Sequence, residues 1–146
     1  MKFFNVLLLG IVLLITSCSS EPNPQNTDSQ VMNVSNKVEV IDFYGTHRCV
    51  TCKAIEANAK YTVNTFFPEE VKAGKVVFKT ILVDDEANYD IAERFEATGT
   101  ALFLNVIQNG KETHIDLTDF GFLKGKDKEA FSNELKTKIA TELKKI

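Results

Sequence analysis

The chain is poor in several residue types, and each shortage excludes a class of protein. It has no tryptophan, 3 prolines and 7 glycines in 146 residues, too few for a low-complexity or fibrous protein. It has no basic excess either: 17 Lys and Arg against 20 Asp and Glu give a net charge of −3, which argues against nucleic acid as a partner. With 44% apolar residues and 11 phenylalanines, the chain can form one globular domain around a phenylalanine-rich aliphatic core.

Cysteine is also scarce, and the first of the 3 cysteines, Cys18, follows an amino-terminal apolar run. That run, Phe3 to Ile15, has 13 residues, whereas a bilayer-spanning helix needs about 20, so it is typical of a cleaved signal peptide. It ends in Ile-Thr-Ser-Cys, which resembles the bacterial lipoprotein box; the alternative is an ordinary secretory signal. The resemblance implies that residues 1–17 are removed and that Cys18 carries lipid. We therefore expect attachment to a bacterial membrane of the cell envelope, on the periplasmic side of the inner or outer membrane.

Two regions follow Cys18. Residues 18–36 have no aromatic side chain and many Ser, Asn and Gln residues, which predicts a disordered tether. Residues 37–146 alternate strand and helix patterns in the order β-α-β-α-β-β-α, with crossovers that favour parallel neighbours and an Asn109-Gly110 hairpin that favours a type I′ turn. This predicts an α/β, three-layer fold like that of thioredoxin and glutaredoxin, with a mixed four-stranded sheet and helices on both faces. The predicted strands are 37–44, 75–83, 101–107 and 112–117, and the predicted helices are 49–67, 86–95 and a closing helix that Asp127 caps.

The other two cysteines, Cys49 and Cys52, form a Cys-x-x-Cys motif where the first strand meets the first helix. Free amides and the positive dipole end at a helix amino terminus stabilise an anion, so Cys49 should ionise more readily than a free cysteine, whose pKa is about 8.5. His47 and Arg48 add polar or positive groups nearby. Cys52 lies one helical turn further on, where it can resolve a mixed disulfide as the more buried partner. The pattern indicates redox chemistry; the alternative is a static disulfide.

The segments VEVIDFYGTHRCVTCKAIE and TGTALFLNVIQNGKE resemble the thioredoxin-like superfamily, and the likeness covers about residues 38–146. It implies a thiol–disulfide oxidoreductase that uses no cofactor and exchanges with exported protein thiols and disulfides or with a redox partner protein. The segments GTHRCVTCKAIE, VDDEAN and FEATGTALFL are more closely similar to small CxxC lipoproteins and secreted proteins of Bacteroidetes-type bacteria. Some of these are labelled subunits of a nitrophenyl-compound nitroreductase. Because the chain has no glycine-rich fingerprint for a flavin, that label implies at most an accessory subunit.

The chain departs from the thioredoxin pattern at several positions. Arg48, Val50 and Thr51 stand where thioredoxins have Trp, Gly and Pro, so the redox potential cannot be transferred. Ala101 aligns with the cis-proline, and because a cis bond there would cost about 3 kcal/mol we expect a trans peptide. Asp42 resembles the buried acid that accepts the resolving proton, but it precedes Cys49 by seven residues instead of six. It is either that acid or a strand-end acid that faces water.

A second function is compatible with the same motif. His47, Cys49 and Cys52 read as H-x-C-x-x-C, a possible set of soft ligands for copper or trivalent arsenic in a binding accessory protein. The acids at 84–86 are typical of a helix amino terminus, and His114 is expected to face solvent on an edge strand. A non-catalytic subunit of a larger redox complex is a third possibility.

Overall fold

The computed structural model describes residues 35–146, which form an α/β fold around a mixed four-stranded sheet. The predicted signal peptide, Cys18 and almost all of the predicted tether lie outside the described residues. The sheet has the order β2-β1-β3-β4, with β1 parallel to β2 and the other neighbours antiparallel. The strands are β1 (Lys37–Tyr44), β2 (Val76–Leu82), β3 (Ala101–Gln108) and β4 (Lys111–Asp116).

Five α-helices connect or follow these strands. Two of them carry clear sequence signals: Pro68 stands at the first position of α2, where its missing N–H costs nothing, and the Asp127 side chain caps α5 by accepting from the Ala130 amide at 3.0 Å. A single 3₁₀ turn, Glu86–Asn88, precedes α3. The helices are α1 (Val50–Phe66), α2 (Pro68–Lys72), α3 (Tyr89–Arg94), α4 (Thr118–Lys124) and α5 (Lys128–Leu143).

The two faces of the sheet carry separate cores, because successive side chains of a strand point to opposite faces. On one face, Val38 and Val40 pack with Ile55 of α1 and with Phe131 and Leu135 of α5. On the other face, the carboxyl half of β1 packs against α3 and the segment that follows it, around an aromatic cluster of Phe43, Phe95 and Phe103. The sheet therefore lies between helices, which makes three layers.

The predicted fold class is confirmed, and so are the central position of β1 and the edge position of β4. Both residues of the hairpin turn have positive φ, 53° for Asn109 and 78° for Gly110, as the Asn-Gly pair predicts. One expectation was wrong: the crossover into β3 does not produce a parallel neighbour, since Phe43 pairs with Ala101 in an antiparallel register. The helices α2 and α4 were not predicted. Within residues 35–146, no helix has the length and apolar character needed to span a bilayer.

Three chain segments meet at one end of the sheet because of these strand directions. The carboxyl ends of the parallel strands β1 and β2 lie there, at Tyr44 and Leu82, and so does the beginning of the antiparallel strand β3, at Ala101. The loop of residues 45–48 leads from this end into α1. The Cys-x-x-Cys motif is therefore placed where three loops converge.

Candidate active site

Cys49 and Cys52 form a disulfide at the amino terminus of α1, with their Cα atoms 5.0 Å apart. Cys49 is the N-cap residue and is exposed, while Cys52 is buried in the first turn, with 7% of its surface exposed. The Cys52 amide donates to Cys49 Sγ over 3.0 Å. This amide is one of the helix donors without a partner inside the helix, so a reduced Cys49 would receive a hydrogen bond that favours the thiolate. Cys52 is thus the more buried of the two residues, as predicted, while the division into attacking and resolving cysteine stays a prediction.

The loop before Cys49 is held by an acid that follows the neighbouring strand β2. The Thr46 amide donates to Asp84 Oδ2 over 2.6 Å, and Asp84 follows β2 at the same end of the sheet. This backbone hydrogen bond, the Thr46 side chain and the charge of His47 lower the pKa of Asp84. Asp85, the next acid, caps the 3₁₀ turn as predicted, by accepting from the Ala87 amide. Asp84 therefore anchors the loop that carries the motif.

Arg48 turns away from the surface and lies between β1 and α1. Its Nη2 donates to Asp42 Oδ2 at 3.1 Å and to the Cys52 carbonyl oxygen at 3.4 Å, and its Nη1 forms an ion pair with Glu56. The guanidinium carbon is 4.6 Å from the centre of the Tyr44 ring, a cation–π distance. The charge of Arg48 is thus shared between two carboxylates.

Asp42 is fully buried, with 0% of its surface exposed, so the alternative that it faces water is wrong. It points to the face of β1 that α1 covers. Burial raises the pKa of Asp42 to about 7, because the charged form loses its hydration; the nearby negative charge of Glu56 acts in the same direction, and Arg48 acts against both. Among the described residues, Asp42 Oδ1 has no hydrogen-bond partner. Its role as proton acceptor stays a prediction.

Ala101 begins β3 at the same end of the sheet, where it lines a groove of about 740 Å³. Phe95, Thr98, His114 and Asp116 also line this groove, which lies beside the end of the sheet that carries the motif and does not include the cysteines in its lining. His114 is exposed on β4, as predicted; its ring stacks on Phe95 with centroids 3.8 Å apart, and its Nε2 lies 3.1 Å from Glu112. The structure therefore brings Asp42, Arg48 and Cys52 together and places His114 elsewhere.

The predicted soft-ligand set is not assembled in this part of the chain. Across residues 35–146, no three His, Cys, Asp or Glu side chains are arranged to hold a metal ion, and His47 is exposed on the loop. The carboxylates of residues 84–86 do not form a metal-binding group of this kind either.

Three residues that contact the site were not predicted to do so: Glu56, Tyr44 and Asp84. Glu56 had a weak signal, because it lies four residues after Cys52 and so on the same side of α1. Tyr44 had none, since an aromatic residue at the end of a strand is common. Asp84 could be recognised only from the strand order, which brings the end of β2 beside the loop after β1.

No family model matches the chain, and no curated protein matches it. Among solved structures, one described as "Structure of a malarial protein" is 14% identical, with a TM-score of 0.39, over 61% of this chain and 96% of its own. A likeness at this level carries no argument about function. What the fold and the site define is an α/β protein with a cysteine pair at disulfide distance where the first helix begins, an arrangement compatible with a thiol oxidoreductase.

Proposed function

We propose that this chain is a thioredoxin-like thiol–disulfide oxidoreductase of the bacterial cell envelope, held at the membrane by lipid on Cys18. The observation that carries the proposal is the disulfide between an exposed helix-capping Cys49 and a buried Cys52. Exposure makes Cys49 accessible to a partner protein, and the Cys52 amide stabilises its thiolate. Because Cys52 is buried, its role is the intramolecular step, in which it attacks Cys49.

The reaction is a two-electron exchange of disulfides. In the reducing direction, the Cys49 thiolate attacks one sulfur of a substrate disulfide and forms a mixed disulfide, and the first substrate thiolate leaves and takes up a proton. Cys52 then loses its proton and attacks Cys49 Sγ, which closes the internal disulfide and releases the second substrate thiol. The substrate gains two electrons and two protons, and an exported protein dithiol restores the reduced pair. The oxidising direction is the reverse of these steps.

A trapping experiment tests this function. In a Cys52→Ser variant the mixed disulfide cannot be resolved, so we expect envelope proteins to accumulate as covalent adducts on Cys49, recovered by affinity purification without reductant and identified by mass spectrometry. The matched control is Cys49→Ser, in which the remaining sulfur is buried and should capture few or no partners. Equal capture by the two variants, or capture by neither together with no reduction of insulin by the wild type, would contradict the proposal.

The membrane anchor has its own test. A Cys18→Ala variant of the full chain should leave the membrane fraction and should not incorporate labelled fatty acid, because the lipid accounts for the attachment. Continued sedimentation of this variant with membranes would contradict lipid anchoring without affecting the trapping result.

A further inference from the structure

The guanidinium of Arg48 is fixed by groups from two different elements. Asp42 and Tyr44 belong to β1, whereas the Cys52 carbonyl and Glu56 belong to α1. A single nitrogen, Nη2, contacts both the buried carboxylate and the backbone of the buried cysteine, at 3.1 and 3.4 Å. Arg48 therefore joins the strand that carries the acid to the helix turn that carries Cys52.

The charges in this cluster do not balance. One guanidinium faces two carboxylates: that of Asp42, whose side chain is fully buried, and that of Glu56, whose side chain is 30% exposed. Within the described residues, Arg48 from the loop and Glu56 from α1 are the charged groups that shift the pKa of Asp42. The strand neighbours that pair with Asp42, Thr80 on β2 and Leu102 on β3, carry no charge. With both acids ionised the cluster has an uncompensated negative charge, so the buried carboxyl is the one that becomes neutral most easily.

We propose that Arg48 is a positioning residue for the Cys49–Cys52 pair: it fixes the first turn of α1 against β1 and, opposed by Glu56, decides whether Asp42 is charged when Cys52 reacts. This inference rests on the proposed function and adds a specific role for the residue before the motif. In the resolving step, the Cys52 thiol gives its proton to the Asp42 carboxylate, its sulfur bonds to Cys49 Sγ, and the Cys49–substrate bond breaks. The substrate thiolate that leaves takes a proton from solvent, and Asp42 then returns its proton to solvent. Arg48 favours the charged Asp42 that accepts the proton, and Glu56 disfavours it.

Two substitutions that should shift the pKa of Asp42 in opposite directions test this role. Arg48→Gln removes the positive charge and should raise the pKa of the Asp42 carboxyl, whereas Glu56→Gln removes a negative charge, leaves Arg48 to Asp42 alone and should lower that pKa. The measurement is a pH titration of the Asp42 carboxyl carbon by ¹³C NMR in the oxidised full-length protein, for which no substrate is needed. Each shift should be about one pH unit, which corresponds to about a tenfold change in the ratio of charged to neutral Asp42.

Kinetics give the second readout. The rate of the Cys52-dependent resolving step, measured by stopped flow as release of the second aromatic thiol after reduced protein is mixed with an excess of a small aromatic disulfide, should fall about fivefold at pH 7 in Arg48→Gln and recover at higher pH. In Glu56→Gln the same profile should move to lower pH. Arg48→Lys keeps the charge and should restore the wild-type profile in part. Arg94→Gln is the matched control, because Arg94 is exposed and pairs with Glu112 away from the motif, and it should leave the profile unchanged.

Several outcomes would overturn the inference. A carboxyl titration that does not move in either glutamine variant, or that moves in the same direction in both, would contradict it, since loss of structure alone cannot produce opposite shifts. If Arg48→Gln fails to fold, the comparison of Arg48→Lys with Glu56→Gln still has opposite expected signs. If the Cys52→Ser variant captures no partner and the wild type does not reduce insulin, the proposed function fails while the NMR titration continues to decide the role of Arg48.

Discussion

Within residues 35–146, Glu96 is the one residue with a positive φ that is neither glycine nor asparagine. It follows α3 with a φ of 53°, a left-handed conformation that glycine adopts at far lower cost. The Glu96 amide donates to the Glu93 carbonyl and the Ala97 amide to the Ala92 carbonyl, both at 2.9 Å, which is the Schellman pattern of a helix end. Ala92 and Ala97 are both buried in the second core. The hydrogen bonds and the buried contact hold Glu96 in place.

We expect Glu96→Gly to stabilise the protein by up to about 1 kcal/mol, because the left-handed strain disappears while the unfolded chain gains some entropy. Urea denaturation of the oxidised protein measures the change. The control is Glu93→Gly inside α3, where the backbone is helical and the same substitution should cost about 1 kcal/mol. Destabilisation by both substitutions would show that Glu96 carries no backbone strain.

For single residues, the sequence predicts those features that depend only on neighbouring positions in the chain. The positions of Cys49 and Cys52 at the start of a helix follow from the strand pattern before them and the helical pattern after them. The burial of Asp42 does not follow from such local patterns. Both faces of β1 carry apolar residues, so the pattern does not indicate which face α1 covers. The contact between Arg48 and Glu56 depends on a loop conformation that no periodicity describes.

The end of α4 packs against the first turns of α1, which carry the motif. A Cβ atom on Gly125, just after α4, would lie 2.7 Å from the Gly121 carbonyl oxygen, 3.1 Å from Ile55 and 3.2 Å from Thr51, the residue before Cys52. The Gly125 carbonyl also accepts from the Asn58 side chain at 2.9 Å. Glycine is therefore needed at this position for α4 to pack on the first turns of α1.

Gly125→Ala should destabilise the protein by about 1–3 kcal/mol, because the new methyl group forces α4 away from α1. The matched control is Gly99→Ala, since a Cβ atom there meets nothing within 4 Å and its φ is not positive. Thermal or urea unfolding of the two variants gives the comparison. Equal stabilities would contradict the tight packing at Gly125.

The sequence predicts some elements of the fold better than others. The long helix α5 is recognisable because Phe131, Leu135 and Ile139 recur at four-residue spacing and are all fully buried. The helix α4 is short and contains Gly121, so it has no comparable signal. The direction of β3 depends on how the segment between α3 and β3 returns to the sheet, which is a matter of tertiary packing and has no local sequence signal.

For the molecule as a whole, Asp42 makes stability depend on pH. Its pKa is raised to about 7 in the folded protein from an ordinary value of 3.8, so between these values the folded state binds a proton that the unfolded chain has released. The free energy of unfolding should therefore fall as pH rises through 7, and the contribution of Asp42 should be lost by about pH 8. Glu39 acts in a different window: burial opposes its ionisation, but hydrogen bonds from Lys37, Lys79 and Asn105 lower its pKa below 4.5, so its contribution is lost only in more acidic solution.

The comparison of wild type with Asp42→Asn isolates this effect. Urea denaturation at pH 5, 6, 7 and 8 should show that the stability of the wild type relative to the variant declines steeply from pH 5 to pH 7 and only slightly from pH 7 to pH 8. A relative stability that rises with pH would mean that the pKa of Asp42 is lowered by folding instead of raised.

The strand order leaves β2 at one side of the sheet, and in the part of the chain that the structure describes no strand pairs with its outer edge. Its sequence, VVFKTIL, is rich in residues that favour strands, and such an edge is a template on which copies of a protein can aggregate. Lys79 is the middle residue of this strand. If two copies paired antiparallel about the middle of β2, Lys79 of one would face Lys79 of the other, and like charges directly opposite each other oppose pairing. The lysine that neutralises Glu39 inside one molecule thus also opposes the edge-to-edge assembly of many copies at high concentration.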